Sequence, residues 1–194
     1  MAALLEPFTA GRADAAAERL IDHFGGLGRA LAAPPEHLAR ALGSDAPLAQ
    51  AIVAARDLIS AGLREQVSRA RVSTRDPAFL DYLRLLLANS ATECLHATFV
   101  THEWGYLADD ILAEGTTGGV EGDLRRLLAR AFDVGAHGVV LAHNHPSGSA
   151  EPSPQDIALT RQIARLTGAV GVRLLDHLIV GAGEIVSMRE RGLL

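Results

Sequence analysis

His143 and His145, with Pro146 directly after them and Ser153 and Asp156 further on, constrain this chain more than any other stretch. Side chains alternate along an extended segment, so two histidines two residues apart share one side of it. Pro146 pushes the residue before it out of the helical region, which predicts an extended His145. The apolar run Gly138 to Ala142 reads as a short buried strand that delivers the histidines at its C-terminal end. A loop rich in Gly, Ser and Pro then runs from Ser147 to Pro152. Ser153, Pro154 and Asp156 have the types expected at the N-cap, N1 and N3 of a helix.

That strand, loop and helix start let Asp156 fold back toward the histidines. Two imidazole nitrogens and one carboxylate oxygen make a three-ligand set for Zn²⁺, with the fourth tetrahedral position left for water. His-x-His alone is a weak signal, and Ser153 with Asp156 alone reads as an ordinary capped helix. Their combination at this spacing carries the assignment.

The same pattern resembles the JAMM motif of the JAB/MPN metalloprotease fold. The stretch from Gly138 to Leu194 narrows the likeness to the RadC family. His143 to Gly148, Asp156 to Thr160, Asp176 to Ile179 and Ser187 to Leu194 all take part. The likeness reaches back through Tyr82 and across Ile111 to Thr116, and it covers the N-terminal part loosely. It implies an α/β (α+β) fold, with a mixed sheet flanked by helices. It also implies one Zn²⁺ held by His143, His145 and Asp156, and hydrolysis of a peptide, isopeptide or related amide bond.

Such chemistry needs a general base beside the activated water. Glu93, Glu103, Glu114 and Glu121 are the upstream candidates. Glu103 falls in a predicted turn. Glu114 ends a predicted strand, and Glu121 sits in the first turn of a helix, where an acid suits the dipole. Glu93 opens an apolar strand that continues through Cys94, Leu95, Ala97 and Phe99. The resemblance also places the base at the start of the first central strand, so Glu93 is preferred. A charge that protects a sheet edge is the plain alternative for it. Ser153 has two candidate roles, helix N-cap and hydrogen-bond donor to an oxyanion, and the resemblance favours the second. By alternation Asn144 points away from the ligands and reads as structural. His177 reads as a packed or hydrogen-bonded strand residue.

The chain has 194 residues, a hydrophobic share of 48% and a formal charge of −5, enough for a core and without a global basic footprint for nucleic acid. Its single cysteine, Cys94, excludes an intrachain disulfide and a cysteine-based zinc site. No apolar run reaches about 18 residues and the start lacks a basic leader, which predicts a soluble, cytoplasmic protein without membrane contact.

Residues 1–72 predict a small all-α domain, with helices over 15–24, 36–42 and 47–69. The polar, proline-closed stretch from Arg71 to Pro77 reads as a linker, so the metallohydrolase domain is expected over 73–194. There a helix is expected from Pro77, strands over 93–101 and 106–114, a helix over 120–135, then the histidine strand, the Pro154 helix and two closing strands. The segment from Phe24 to Gly43 resembles the helix-hairpin-helix region that commonly precedes the RadC catalytic domain. A working hairpin presents backbone N–H groups to phosphate through closely spaced glycines. Here Gly43 is followed by Ser44 and Asp45, and residues 1–72 hold eight arginines against eight acids. Weak or absent DNA binding is the expectation, and a nucleic-acid module with an inactive or structural metal site is the runner-up. The expected partner is a peptide or protein substrate, with no organic cofactor.

Overall fold

Alanine and leucine at helical spacing set the first part of the fold. The helices here are α1 (Ala2–Thr9), α2 (Ala13–Phe24), α3 (Leu27–Ala32) and α4 (Pro35–Leu42), followed by a 3-10 turn (Gly43–Asp45) and α5 (Pro47–Arg69). In this computed structural model the described residues are 2–9, 11–115 and 119–194, without the side chains of Leu4, Phe8 and residues 119–123. Buried Ala16, Leu20, Leu38, Leu42 and Leu48 form the core of the helices. α2 ends where Gly25 takes φ +73°, a left-handed cap that glycine adopts without a Cβ penalty. The short helices α1 and α3 add to those expected from sequence. The six residues of α3 hold too few turns to print a periodic stripe.

The chain forms two compact units, Met1–Gly62 with Asn89–Ala91, and Leu63–Ala88 with Thr92–Leu194. The division falls inside α5, ten residues before the boundary expected at 72/73. The reason is packing: Val67 and Val72 are buried with Phe79, Tyr82 and Leu83. The backbone N–H of Val72 also donates to the Trp104 carbonyl at 2.8 Å.

In the second unit α6 (Pro77–Leu87) starts on Asp76, whose carboxylate accepts from the Ala78 N–H at 3.0 Å. Five strands among the described residues form one mixed sheet, in the order β2-β1-β3-β4-β5. They are β1 (Cys94–Val100), β2 (Tyr106–Glu114), β3 (Gly138–Asn144), β4 (Arg173–Val180) and β5 (Ile185–Ser187). Only β3 and β4 are parallel, and the helix α8 (Pro154–Ala169) makes the crossover that a parallel pair requires. That crossover brings the start of α8 back beside the C-terminal end of β3. One sheet face packs Leu95, Phe99 and Leu141 against α8 and α7 (Gly119–Asp133). The other packs Val140, Ala142 and Leu178 against α6. No helix of the described residues is long and apolar enough to cross a membrane.

Asp109 anchors a buried polar network on the α6 side. Its carboxylate accepts from Tyr82 Oη at 2.7 Å, from Tyr106 Oη and from His96 Nε2 at 3.1 Å, and it pairs with the Arg64 guanidinium, whose Nε donates to Tyr82 Oη at 3.0 Å. Burial alone would raise its pKa, but the His96 ring and the two tyrosine hydroxyls outweigh that and hold the carboxyl well below the usual range. A depressed folded-state pKa contributes stability that is full above the unfolded value of about 3.9 and is lost as pH falls below it. Asp109→Ala leaves buried donors unmatched and is expected to cost about 3 kcal/mol at neutral pH. Urea denaturation from about pH 7 down to about pH 3 should show the gap between wild type and variant narrowing. A gap that is constant or grows on acidification contradicts this.

Candidate metal centre

β3 extends two residues beyond the apolar run, so His143 lies inside the strand and is buried, while His145 just follows it and is half-buried. Ser153 caps α8. Its hydroxyl accepts from the Asp156 N–H at 3.2 Å, and the Asp156 carboxylate accepts from the Ser153 N–H at 2.7 Å. This reciprocal capping box aims the Asp156 carboxylate at the end of β3. Its Oδ1 lies 3.2 Å from His143 Nε2, and its Oδ2 lies 3.3 Å from His145 Nε2. The two Nε2 atoms are 2.9 Å apart.

These spacings, each nitrogen measured to a different Asp156 oxygen, come close to those around a zinc ion. Tetrahedral zinc with bonds of about 2.0–2.1 Å holds its ligand atoms about 3.3 Å apart. The chemistry of the set agrees. His145 Nδ1 lies 3.0 Å from the Ser149 carbonyl, which can only accept, so Nδ1 carries the proton and Nε2 presents a lone pair. That carbonyl is held by its loop, since Gly148, at φ +81°, accepts from the Ala182 N–H at 2.9 Å. Burial would raise the Asp156 pKa, and the Ser153 N–H that donates to its carboxylate works against that. A bare nitrogen and a carboxylate packed this closely repel each other unless a cation lies between them. His143, His145 and Asp156 are the one group of this kind among the described residues.

A cavity of about 90 Å³ opens at this point, lined by Glu93, His143, Asp156, Leu95, Ala113 and Leu159 among others. Glu93 is exposed and immediately precedes β1, which starts at Cys94 where the sequence led to a start at Glu93 itself. Leu95 pairs with His143 and with Ala113 in the sheet, which brings the start of β1 beside the histidines. The other candidate bases lie elsewhere. Glu103 sits in the turn at the far end of β1, about 20 Å along a seven-residue strand. There its own backbone N–H and the Thr101 hydroxyl lower its pKa. Glu114 is exposed and alternates away from Ala113, so it faces the other side of the sheet. The side chain of Glu121, and Thr116 of the motif stretch, lie outside the described residues.

Two residues set aside in the sequence are hydrogen-bonded next to the candidate site. Asn144 is fully buried on the opposite face, and its side chain extends the β1–β3 pairing beyond its last backbone bond. Its Oδ1 accepts from the Cys94 N–H at 2.9 Å, and its Nδ2 donates to the Thr92 carbonyl at 3.0 Å. The Glu93 carbonyl accepts from the Gly115 N–H at 2.7 Å. The main chain at Glu93 is thus held on both sides. Asn144→Ala is expected to leave metal uptake in place but raise the amide exchange rate of Cys94 at least tenfold, read by hydrogen exchange. Unchanged protection there would remove this role.

His177 lies on β4 beside Leu141, with its Nε2 2.8 Å from His143 Nδ1. It is hydrogen-bonded, as its sequence setting suggests, and the residue it meets is a candidate metal ligand. Burial, then the neighbouring His143 ring, push its pKa down to about 3, so it is neutral at physiological pH. Its partner Thr160, one turn into α8 from Asp156, carried no signal in the sequence.

A family model described as RadC-like JAB domain matches residues 73–193. Curated relatives bear the name UPF0758 protein. One from Rhodobacter capsulatus is 37% identical over 183 residues, covering 92% of this chain and 83% of its own length. One from Azotobacter vinelandii is 36% identical over 178 residues, covering 92% and 80%. One from Halorhodospira halophila is 38% identical over 179 residues, again covering 92% and 80%.

Proposed function

This chain belongs to the RadC-like JAB domain family, and from that premise we propose that it is a zinc-dependent hydrolase of a peptide, isopeptide or related amide bond. The observation that carries the reading is the convergence of His143, His145 and Asp156 to within 3.3 Å, in a cavity that Glu93 also lines. Zinc supplies Lewis acidity, which activates a water and polarises a carbonyl. The protein's own groups do the rest. His143, His145 and Asp156 hold the ion. Glu93 takes the proton of the attacking water and returns it to the leaving amine. Ser153 accepts from the Asp156 N–H, and that bond leaves its own hydroxyl hydrogen to donate to an oxyanion. Leu95, Ala113 and Leu159 give the cavity an apolar wall beside these polar groups.

Elemental analysis followed by hydrolysis of a peptide library, with and without a chelator, tests the reading. About one zinc per chain and cleavage abolished by the chelator are expected. Cleavage indifferent to the chelator, or a chain that takes up no zinc, would end it.

DNA is a weak partner in this reading. Asp45 is buried and engaged by Arg12 at 2.6 Å and by Arg19, so both guanidiniums already hold an anion. Titration of labelled duplex at two salt concentrations is expected to give weak binding that collapses as salt rises. Tight binding at physiological salt that disappears without residues 1–62 would restore the nucleic-acid reading.

A further inference from the structure

Behind the candidate ligands lies a second row of polar groups that the reading above does not use. His177 and Thr160 are both fully buried. Thr160 Oγ1 lies 2.5 Å from the Asp156 main-chain carbonyl, 2.6 Å from His177 Nδ1 and 3.4 Å from Met188 Sδ. His177 Nε2 lies 2.8 Å from His143 Nδ1. The row therefore starts at one candidate ligand residue, Asp156, and ends on another, His143.

The directions of these bonds follow from counting hydrogens. The Asp156 carbonyl has none, so at 2.5 Å Thr160 must donate to it. The methionine sulfur is a weak and more distant acceptor and does not compete. Thr160 has one hydroxyl hydrogen, so its oxygen can only accept from His177, and His177 Nδ1 must carry a proton. Neutral His177 then has a bare Nε2, which accepts from His143 Nδ1–H. Neutral His143 is left with a bare Nε2, the atom that faces Asp156 Oδ1 and His145 Nε2.

We propose that Thr160 and His177 are positioning residues that impose the Nδ1–H tautomer on His143, so that its Nε2 lone pair is already aimed into the metal site before an ion arrives. A free histidine side chain favours the opposite tautomer, so an unguided His143 would have to move its proton before binding. The same row ties β3, β4 and α8 together at the two ligands. Outer partners of metal-bound histidines act in this way in general, fixing ring orientation and raising ligand basicity. This proposal rests on the metal reading of the site.

The test uses the full chain and zinc alone. Histidine nitrogen NMR on the zinc-free chain at about pH 8, where exposed imidazoles are neutral, is expected to show His143 and His177 both protonated at Nδ1. Competition with a chromogenic chelator then measures zinc affinity. Thr160→Val keeps the side-chain shape and removes the hydroxyl, and it is expected to weaken zinc binding by about 10–100-fold. His177→Leu is expected to do the same, and His177→Gln, which keeps an acceptor near the place of Nε2, to lose less. Circular dichroism confirms that each variant is folded. His143 protonated at Nε2 in the zinc-free chain overturns the proposal. So does a folded Thr160→Val chain with unchanged zinc affinity and unchanged His143 tautomer. A wild-type chain that binds no zinc fails the metal reading instead, and the tautomer measurement still decides the relay by itself.

Discussion

Asp156→Ala is expected to strip the chain of nearly all its zinc. Two losses combine in this one substitution. The carboxylate is the only anionic member of the three-ligand group, placed 3.2 Å and 3.3 Å from the two histidine nitrogens. It is also half of the capping box that starts α8, through its bond from the Ser153 N–H at 2.7 Å. Removing the cap costs about 1 kcal/mol of helix stability, so the variant should still fold while its metal content falls. Asp156→Asn separates the two effects. It keeps an oxygen able to accept from Ser153 while losing the charge, so it should stay near wild type in stability and still bind zinc poorly. Elemental analysis beside thermal denaturation reads both quantities. Full zinc content in Asp156→Ala, or in a chain with both His143 and His145 replaced by alanine, would refute the ligand assignment.

Glu93→Gln is expected to keep the zinc and lose about two to four orders of magnitude in hydrolysis rate, the usual size of general acid–base assistance. Glu93 lines the same cavity as His143 and Asp156 but stands apart from the three-ligand group. Glutamine has nearly the same shape, accepts hydrogen bonds and cannot take a proton. A carboxylate that served as a fourth ligand would behave differently, because its loss would lower zinc content as well. Zinc content and chelator-sensitive cleavage of a peptide library, measured on one preparation, separate these cases. A rate within about threefold of wild type would remove Glu93 from the chemistry. Loss of zinc would recast it as a ligand. Glu114→Gln, on the opposite sheet face, is the matched control and is expected to change neither quantity.

The features written locally in the chain are those whose physical cause is local. Pro146 forces extension on His145, alternation places His143 and His145 together, and Ser153, Pro154 and Asp156 specify a helix start in four residues. Three candidate ligands and the supersecondary unit carrying them were therefore legible before any fold was known. Helices with a marked apolar stripe, such as α2 and α6, were legible for the same reason, while the short α1 and α3 were not. The sequence could narrow the base to four glutamates and rank Glu93 first. It could not place any of them, since that depends on which strands become neighbours.

Strand order and register decided the rest. β1 pairs with β3, which carries Glu93 across fifty residues of chain to the cavity beside His143. The same pairing turns Asn144 into a clamp on Thr92 and Cys94. The parallel register of β3 with β4 sets His177 behind His143, and the α8 crossover sets Thr160 behind His177. Packing with α6 drew residues 63–72, the end of α5 and the start of the linker-like stretch, into the second unit. The chain by itself determined the candidate ligands and their local geometry, because proline sterics, alternation and capping act within a few residues. Tertiary structure alone decided the neighbours of those ligands, because a hydrogen bond between distant residues is fixed by sheet pairing and core packing, which no short stretch encodes.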